Sequence, residues 1–253
     1  MATAKTRLDV ALVARGLAES RTRAEALVLS GRVKVKGVER PKPGTPVGAA
    51  ALIEIEAPEH PWVSRGGVKL AAGLDAFAVD PAGRTCLDVG ASTGGFTDVL
   101  LSRGAARVYA IDVGHGQLHA RLRNDPRVVL REGVNARLLS RPDVPEACSL
   151  LVADVSFISL RLILPAAVPL LVPGADAVLL VKPQFESERG EVGRGGIVRD
   201  PEVRSRAVAR IVASAGALGL AHRGTVESPI TGADGNVEYL VAFVLGVPGA
   251  ASG

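Results

Sequence analysis

Two hydrophobic rhythms divide the chain. Up to residue 57, apolar positions come in short helix-spaced groups followed by brief alternations, and from residue 85 they come as continuous runs between amphipathic stretches. Leu8, Ala11 and Leu12 share one helical face, which predicts a helix started by Thr6 and Asp9 and stopped by Gly16. Ala24, Leu27 and Val28 predict a second helix, begun at Ser20 or Thr22 with Glu25 following and ended at Gly31. Val33, Val35 and Val38 alternate with Lys34 and Lys36 around Gly37, a hairpin pattern, and ALIEIE at 51–56 adds a strand after the turn PKPGTP. Residues 1–57 therefore read as a small α+β module.

Residues 58–64 carry prolines and the only tryptophan, Trp62, and read as a linker whose tryptophan packs between domains. From Ser64 a helix opens with Val68, Leu70, Leu74 and Phe77 on its apolar side. Strands then follow at 85–90, 107–113, 128–132, 150–157 and 177–185, with helices at 94–104, 117–125, from about 160, and at 202–219. Two last strands flank the turn TGADGN at 231–236 and predict a closing hairpin with one antiparallel strand. Alternation of this kind means an α/β domain, 65–253, around a mostly parallel seven-stranded sheet.

Composition narrows the function classes. The segment 162–181 is long enough for a bilayer but is cut by Pro165, Pro169, Pro173 and Gly174, so a broken helix and a buried strand are expected in place of a membrane span. Two cysteines make neither a disulfide framework nor a cysteine zinc site, which points to a reducing, cytoplasmic setting, and Cys86 reads as core. The charged N-terminus lacks the apolar stretch of a signal peptide. His115 and His119 stand four apart but have no third partner, so no metal is expected. Residues 1–43 hold ten basic and four acidic side chains, net +6, against a net −2 for the remainder. A basic head on a near-neutral body suits a polyanionic partner.

The chemistry-bearing positions sit at predicted strand ends. DVGASTGGFTD at 88–98 follows the first strand of the sheet, where ligands bind in such folds. Ser92 interrupts the dinucleotide fingerprint, and no lysine follows to make a phosphate loop. Gly90 and Gly94 are expected to let backbone approach a ligand, and Asp112 is placed to accept from ribose hydroxyls. Of 30 basic residues only six are lysines, and just two, Lys69 and Lys182, lie beyond residue 42. A lysine can give up its proton where an arginine cannot. Lys182 ends the fifth strand, Asp154 ends the fourth beside it, and Glu238 begins the last.

RLD at 7–9 and SRTRAEALVLSGRVKVKG at 20–37 resemble the S-four-like RNA-binding domain, in which Arg7, Arg21, Arg23, Arg32, Lys34 and Lys36 are expected to meet phosphates. The glycine-rich turn resembles motif I of S-adenosylmethionine-dependent methyltransferases. Lys69, Asp154, Lys182 and Glu238 match in order the tetrad of FtsJ-like ribose 2′-O-methyltransferases. That match implies Lys182 as general base, Asp154 and Glu238 as orienting groups, and Lys69 as the cation that positions the hydroxyl and eases the proton off Lys182.

Together with SRGGVKL, IDVGHGQL, VADVSFISL, VKPQFE and SPITGADGNVEYL, these motifs resemble the TlyA (hemolysin A) family from about residue 5 to 246. The resemblance implies cytidine 2′-O-methylation of 23S and, in some members, 16S ribosomal RNA. It also implies S-adenosylmethionine as cofactor, ribosomal RNA or subunits as partner, and no membrane; a monomer is the working expectation. Asp88, Gly90, Ser92, Thr93, Gly94, Gly95, Phe96, Asp112, Asn135 and Phe157 form the implied cofactor set. The linker reads HPWV at 60–63, where family members carry an arginine and an alanine before the tryptophan. The competing classes are a non-catalytic RNA-binding factor on the same scaffold, a membrane-active toxin, and a pseudouridine synthase bearing the same N-terminal domain. The intact tetrad opposes the first, the broken apolar segment the second, and the methyl-donor motif the third.

Overall fold

The computed structural model describes residues 5–18, 20–29, 32–55, 60–188, 190–232 and 234–246, the side chains of Arg23 and Ala26 excepted. The chain divides into two compact units, Met1–Pro61 and Trp62–Gly253, each with its own core.

In the first unit the elements run β1 (Thr6–Arg7), α1 (Leu8–Ala14), α2 (Arg21–Leu29), β2 (Val33–Val35), β3 (Pro46–Val47) and β4 (Ile53–Ile55). Leu8, Leu12, Ala24, Leu27 and Val28 close over Val33, Val35 and Val47. Val35 bridges Val38 across the turn at Gly37, and β2 also pairs antiparallel with β4, bringing Lys34 opposite Glu54. The expected stop at Gly31 lies outside the described residues. The start of α1 differs from expectation. Asp9 does not cap the helix as a surface residue; it is fully buried, and its carboxylate accepts from Arg7 Nη2 at 2.7 Å and from Arg21 Nε at 3.0 Å. A buried carboxylate needs partners of this strength, and the guanidiniums of Arg7 and Arg21 hold its pKa well below the usual carboxylate range.

The second unit runs α3 (Gly66–Ala76), β5 (Thr85–Val89), α4 (Gly95–Ser102), β6 (Arg107–Ile111), α5 (Ala120–Arg123), β7 (Val128–Arg131), β8 (Cys148–Ala153), α6 (Leu164–Ala167), β9 (Leu171–Val181), α7 (Pro183–Glu186), α8 (Pro201–Ala217), β10 (Leu220–Glu227) and β11 (Tyr239–Leu245). Seven strands form one sheet in the order β10-β11-β9-β8-β5-β6-β7, with β11 antiparallel to both neighbours and the other pairs parallel. Leu87, Val89, Leu151 and Leu179 face one apolar layer and Cys86, Leu150, Val152 and Val178 the other, which explains the near-continuous apolar runs.

Three elements depart from the sequence pattern. The helix expected at 117–125 shrinks to α5, because Gly116 adopts a positive φ of 68° and the His119 ring Nδ1 caps the helix by accepting from Arg121 N. The helix expected from 160 becomes a 3₁₀ turn at 160–162, α6, and a second 3₁₀ turn at 168–170. Pro165 and Pro169 lack the N–H that a longer helix requires. Strand β9 begins at Leu171, ahead of the expected 177, and passes through Pro173 and Gly174 with a register shift against β8. Among the described residues no helix is long and apolar enough to cross a membrane. Cys86 and Cys148 are free and buried, and burial pushes both thiols up to about 12, which makes them unreactive packing residues.

Candidate active site

Neighbours on either side of β5 connect in opposite directions, so the chain parts at the carboxyl ends of β5 and β8 and leaves a crevice there. A cavity of about 170 Å³ fills that crevice, bordered by Gly90, Ser92 and Thr93 of the loop after β5, Gly95 and Phe96 of α4, and Ser64 and Gly66 ahead of and in α3. Lys69, Asp154, Ser156 and Lys182 complete its wall.

Two lysine–carboxylate pairs stand at this edge. Lys69, one turn into α3, donates from Nζ to Glu238 Oε2 at 2.5 Å, with only 8% and 2% of the two residues exposed. Glu238 sits one residue before β11, where antiparallel pairing with β9 carries it to the rim. Lys182 directly follows β9, and Pro183 at the first position of α7 turns the chain away behind it. Its Nζ lies 2.6 Å from Asp154 Oδ1, yet its aligned hydrogen bond goes to Ser156 Oγ at 2.9 Å. Asp154 Oδ1, though buried, receives no aligned hydrogen bond. Both ammonium groups are thus neutralised locally while remaining at a cavity wall.

The loop after β5 is held by its own chain. Gly90 has φ 87° and Gly94 φ 99°, which favours glycine at both. A Cβ on Gly90 would strike the Asp154 carbonyl, and one on Gly94 the Leu122 side chain. Both glycines therefore let the loop pack closely against its own chain, and Gly90 also borders the cavity. Ser92 holds a positive φ of 47°; its N–H donates to Asp112 Oδ2 at 2.7 Å and its hydroxyl to Gln117 Oε1 at 3.1 Å. Asp112 Oδ1 accepts from Gly114 N at 2.7 Å. A carboxylate offers about four lone-pair directions, so these two N–H groups aim Asp112 and leave capacity for two further donors.

Five residues of the expected cofactor set, Asp88, Gly94, Asp112, Asn135 and Phe157, are not among those lining the cavity. Asp88 is fully buried beneath the loop, where Oδ2 accepts from Thr97 Oγ1 at 2.6 Å and Oδ1 has no partner. Burial pushes its carboxyl up to about 7, against the opposing hydrogen bond from Thr97. It supports the loop from below and is closed to direct ligand contact. Asn135 caps the 3₁₀ turn at 136–138 by accepting from Arg137 N, on the loop beyond β7. Phe157 is 92% exposed with φ 64°, and its ring is tilted against Phe185 at a centroid distance of 5.2 Å.

The remaining expectations sort as follows. Trp62 packs within the second unit, against Gly67 and the apolar layer that holds Leu70 and Leu74. Val63 N donates to Asp98 Oδ2, and Arg121 clasps the same carboxylate, fastening this stretch to α4. Arg7 and Arg21 keep about half their side chains exposed while binding Asp9. Lys34 and Lys36 are exposed and Arg32 half-buried, and the Arg23 side chain lies outside the described residues. Among the described residues no group of three potential ligands could hold a metal ion. The sequence pattern singled out neither Ser156 nor Asp98. Ser156 stands two residues beyond a strand-end acid, and that spacing was the available signal.

The strand order, the glycine-bearing turn after the central strand and the paired lysines at its edge define a Rossmann-like methyltransferase. The chain belongs to the FtsJ-like methyltransferase family, whose model matches residues 62–245, and an S4 domain model matches residues 6–53. A relative from Mycobacterium tuberculosis, named 16S/23S rRNA (cytidine-2'-O)-methyltransferase TlyA, is 51% identical over 94% of this chain and 89% of its own length. Hemolysin A of Brachyspira hyodysenteriae is 41% identical over 94% of this chain and all of its own. A solved structure from Streptococcus thermophilus, also carrying the hemolysin name, superposes with a TM-score of 0.74 at 39% identity, covering 97% of this chain and 90% of that one.

Proposed function

We propose that this protein transfers a methyl group from S-adenosylmethionine to the 2′-hydroxyl of a cytidine in ribosomal RNA, in the cytoplasm. The observation that carries the proposal is the pair of buried lysine–carboxylate contacts, Lys69–Glu238 and Lys182–Asp154, at the mouth of one cavity. The donor set fits the cofactor: Asp112 has spare acceptor capacity for ribose hydroxyls, and Ser92, Thr93, Gly95 and Phe96 wall the adjoining space. When bound, S-adenosylmethionine supplies a methyl group carried on a sulfonium.

A ribose 2′-hydroxyl is a poor nucleophile until its proton is taken. Lys182 in its neutral form accepts that proton at Nζ, and Asp154 holds the resulting ammonium. Lys69 stays charged beside Glu238 and positions the hydroxyl oxygen. The basic first unit binds the RNA, with Lys34 and Lys36 among the phosphate contacts. Cytidine as the target base, and 16S as well as 23S RNA as substrates, follow the named activity of the Mycobacterium tuberculosis relative.

The test is incorporation of labelled methyl into ribosomal RNA or subunits from cells lacking the protein, followed by mapping of the modified nucleotide. Wild-type protein is expected to label a cytidine ribose. Lys182→Met is expected to abolish labelling while still binding S-adenosylhomocysteine. Unchanged labelling by that variant would sink the assignment of the base.

A further inference from the structure

We infer that Ser156 is a proton relay between Lys182 and solvent. The inference rests on the reading of Lys182 as general base. Each turnover leaves the 2′-hydroxyl proton on Lys182 Nζ, and the amine must lose it before the next. Lys182 is only 9% exposed, so that proton needs a route out.

Among the described residues two groups touch Nζ. Asp154 lies 2.6 Å away, but the Oδ1 that faces Nζ is buried and receives no aligned hydrogen bond, so that oxygen compensates charge without handing a proton on to water. Ser156 Oγ, at 2.9 Å, takes the aligned hydrogen bond, and Ser156 is exposed. The hydroxyl spans from the buried amine to the surface. Lys69, the other lysine of the cavity, has its aligned bond to the buried carboxylate of Glu238. The serine contact thus distinguishes the lysine that must cycle its proton from the one that keeps it.

The geometry of the relay is fixed from outside. Glu186 of α7 accepts from Leu160 N at 2.8 Å and from Ser159 Oγ, tying the segment after Asp154 to the one after Lys182. The step balances: an Nζ–H bond breaks as its proton passes to Ser156 Oγ, and the Ser156 hydroxyl proton passes to water. Lys182 is left neutral and the serine unchanged. The charged groups around this path are Asp154 on the same loop, Lys69 on α3, Glu238 before β11 and Asp88 at the end of β5.

The experiment compares Ser156→Ala and Ser156→Thr with wild type. By 15N NMR, with the Lys182 signal assigned from its loss in Lys182→Met, exchange of the Lys182 ammonium protons with water should slow in Ser156→Ala and recover in Ser156→Thr. In the methyl-transfer assay, kcat of Ser156→Ala should fall about tenfold, with KM for RNA and S-adenosylhomocysteine affinity unchanged. Added imidazole should restore it by carrying the proton. Equal exchange rates in the three proteins, or a loss of kcat that neither imidazole nor threonine repairs, would overturn the relay. Failure of the functional reading looks different: wild type and Lys182→Met would label RNA equally, whatever the exchange rates.

Discussion

Lys69 Nζ and Glu238 Oε2 meet at 2.5 Å across 169 residues of chain, and almost none of either residue reaches solvent. The contact joins α3, which precedes the sheet, to the edge of its antiparallel strand β11. It therefore closes the methyltransferase unit as well as equipping its cavity.

Breaking that pair should separate its two roles. Glu238→Ala leaves an ammonium buried without a counter-charge, which costs about 3–5 kcal/mol of stability. The double replacement Lys69→Met, Glu238→Leu removes both charges and should recover most of that loss in urea denaturation. Methyl transfer should be absent from both proteins. A double variant as unstable as the single one would show that packing, not charge burial, dominates the site.

Asp88 gives the fold an unusual pH dependence. Its carboxyl is raised from 3.8 to about 7 by burial, so between those values the folded protein binds a proton that the unfolded chain does not. Its contribution to stability is fully present below pH 3.8 and is lost as pH rises through about 7. Asp88→Asn keeps an acceptor for Thr97 and removes the titration. Thermal melts at pH 5 and pH 8 should show a larger drop for wild type than for Asp88→Asn. Equal drops would mean that the carboxyl titrates near its ordinary value.

The tetrad was legible because charge at the end of an apolar strand is costly and hence informative. Lys182 after AVLLV and Asp154 after LLVA announce themselves. Asp112 was legible for the same reason, at the end of β6. What stayed hidden depends on contacts that no local pattern encodes. Asp9 looked like a cap until Arg21, twelve residues on, proved to share it. Asp88 looked like a ligand until its depth beneath the loop was visible. The short α5 depended on a histidine cap inside a stretch of good helix formers. Phe157, named within a motif, takes a left-handed φ that spacing cannot announce.

Trp62 and Gly67 offer a local test of packing. A Cβ at Gly67 would fall on the Trp62 side chain, so Gly67→Ala must push the indole out of its seat. Overpacking of this kind costs about 1–3 kcal/mol. Trp62 is the only tryptophan, so its fluorescence reports the site directly. The expected result is a red-shifted emission with a lower Tm. An unshifted emission would place the indole elsewhere.

The basic unit should reveal its phosphate contacts through salt. Each contact that neutralises a phosphate steepens the fall of log K with log salt by about 0.7–0.9. Lys36 is exposed, and Lys36→Ala is expected to flatten the slope by about one such increment while leaving stability unchanged. Arg21 differs, because its Nε also serves the buried Asp9 carboxylate at 3.0 Å. Arg21→Ala should flatten the slope similarly and in addition lose about 1–2 kcal/mol of stability, since the buried Asp9 carboxylate loses one guanidinium and keeps Arg7 and the Val10 N–H. Filter binding to ribosomal RNA between 50 and about 200 mM salt, beside thermal melts of the same variants, measures both effects. If Arg21→Ala lowers stability without altering the slope, its guanidinium belongs to the fold and not to the RNA interface.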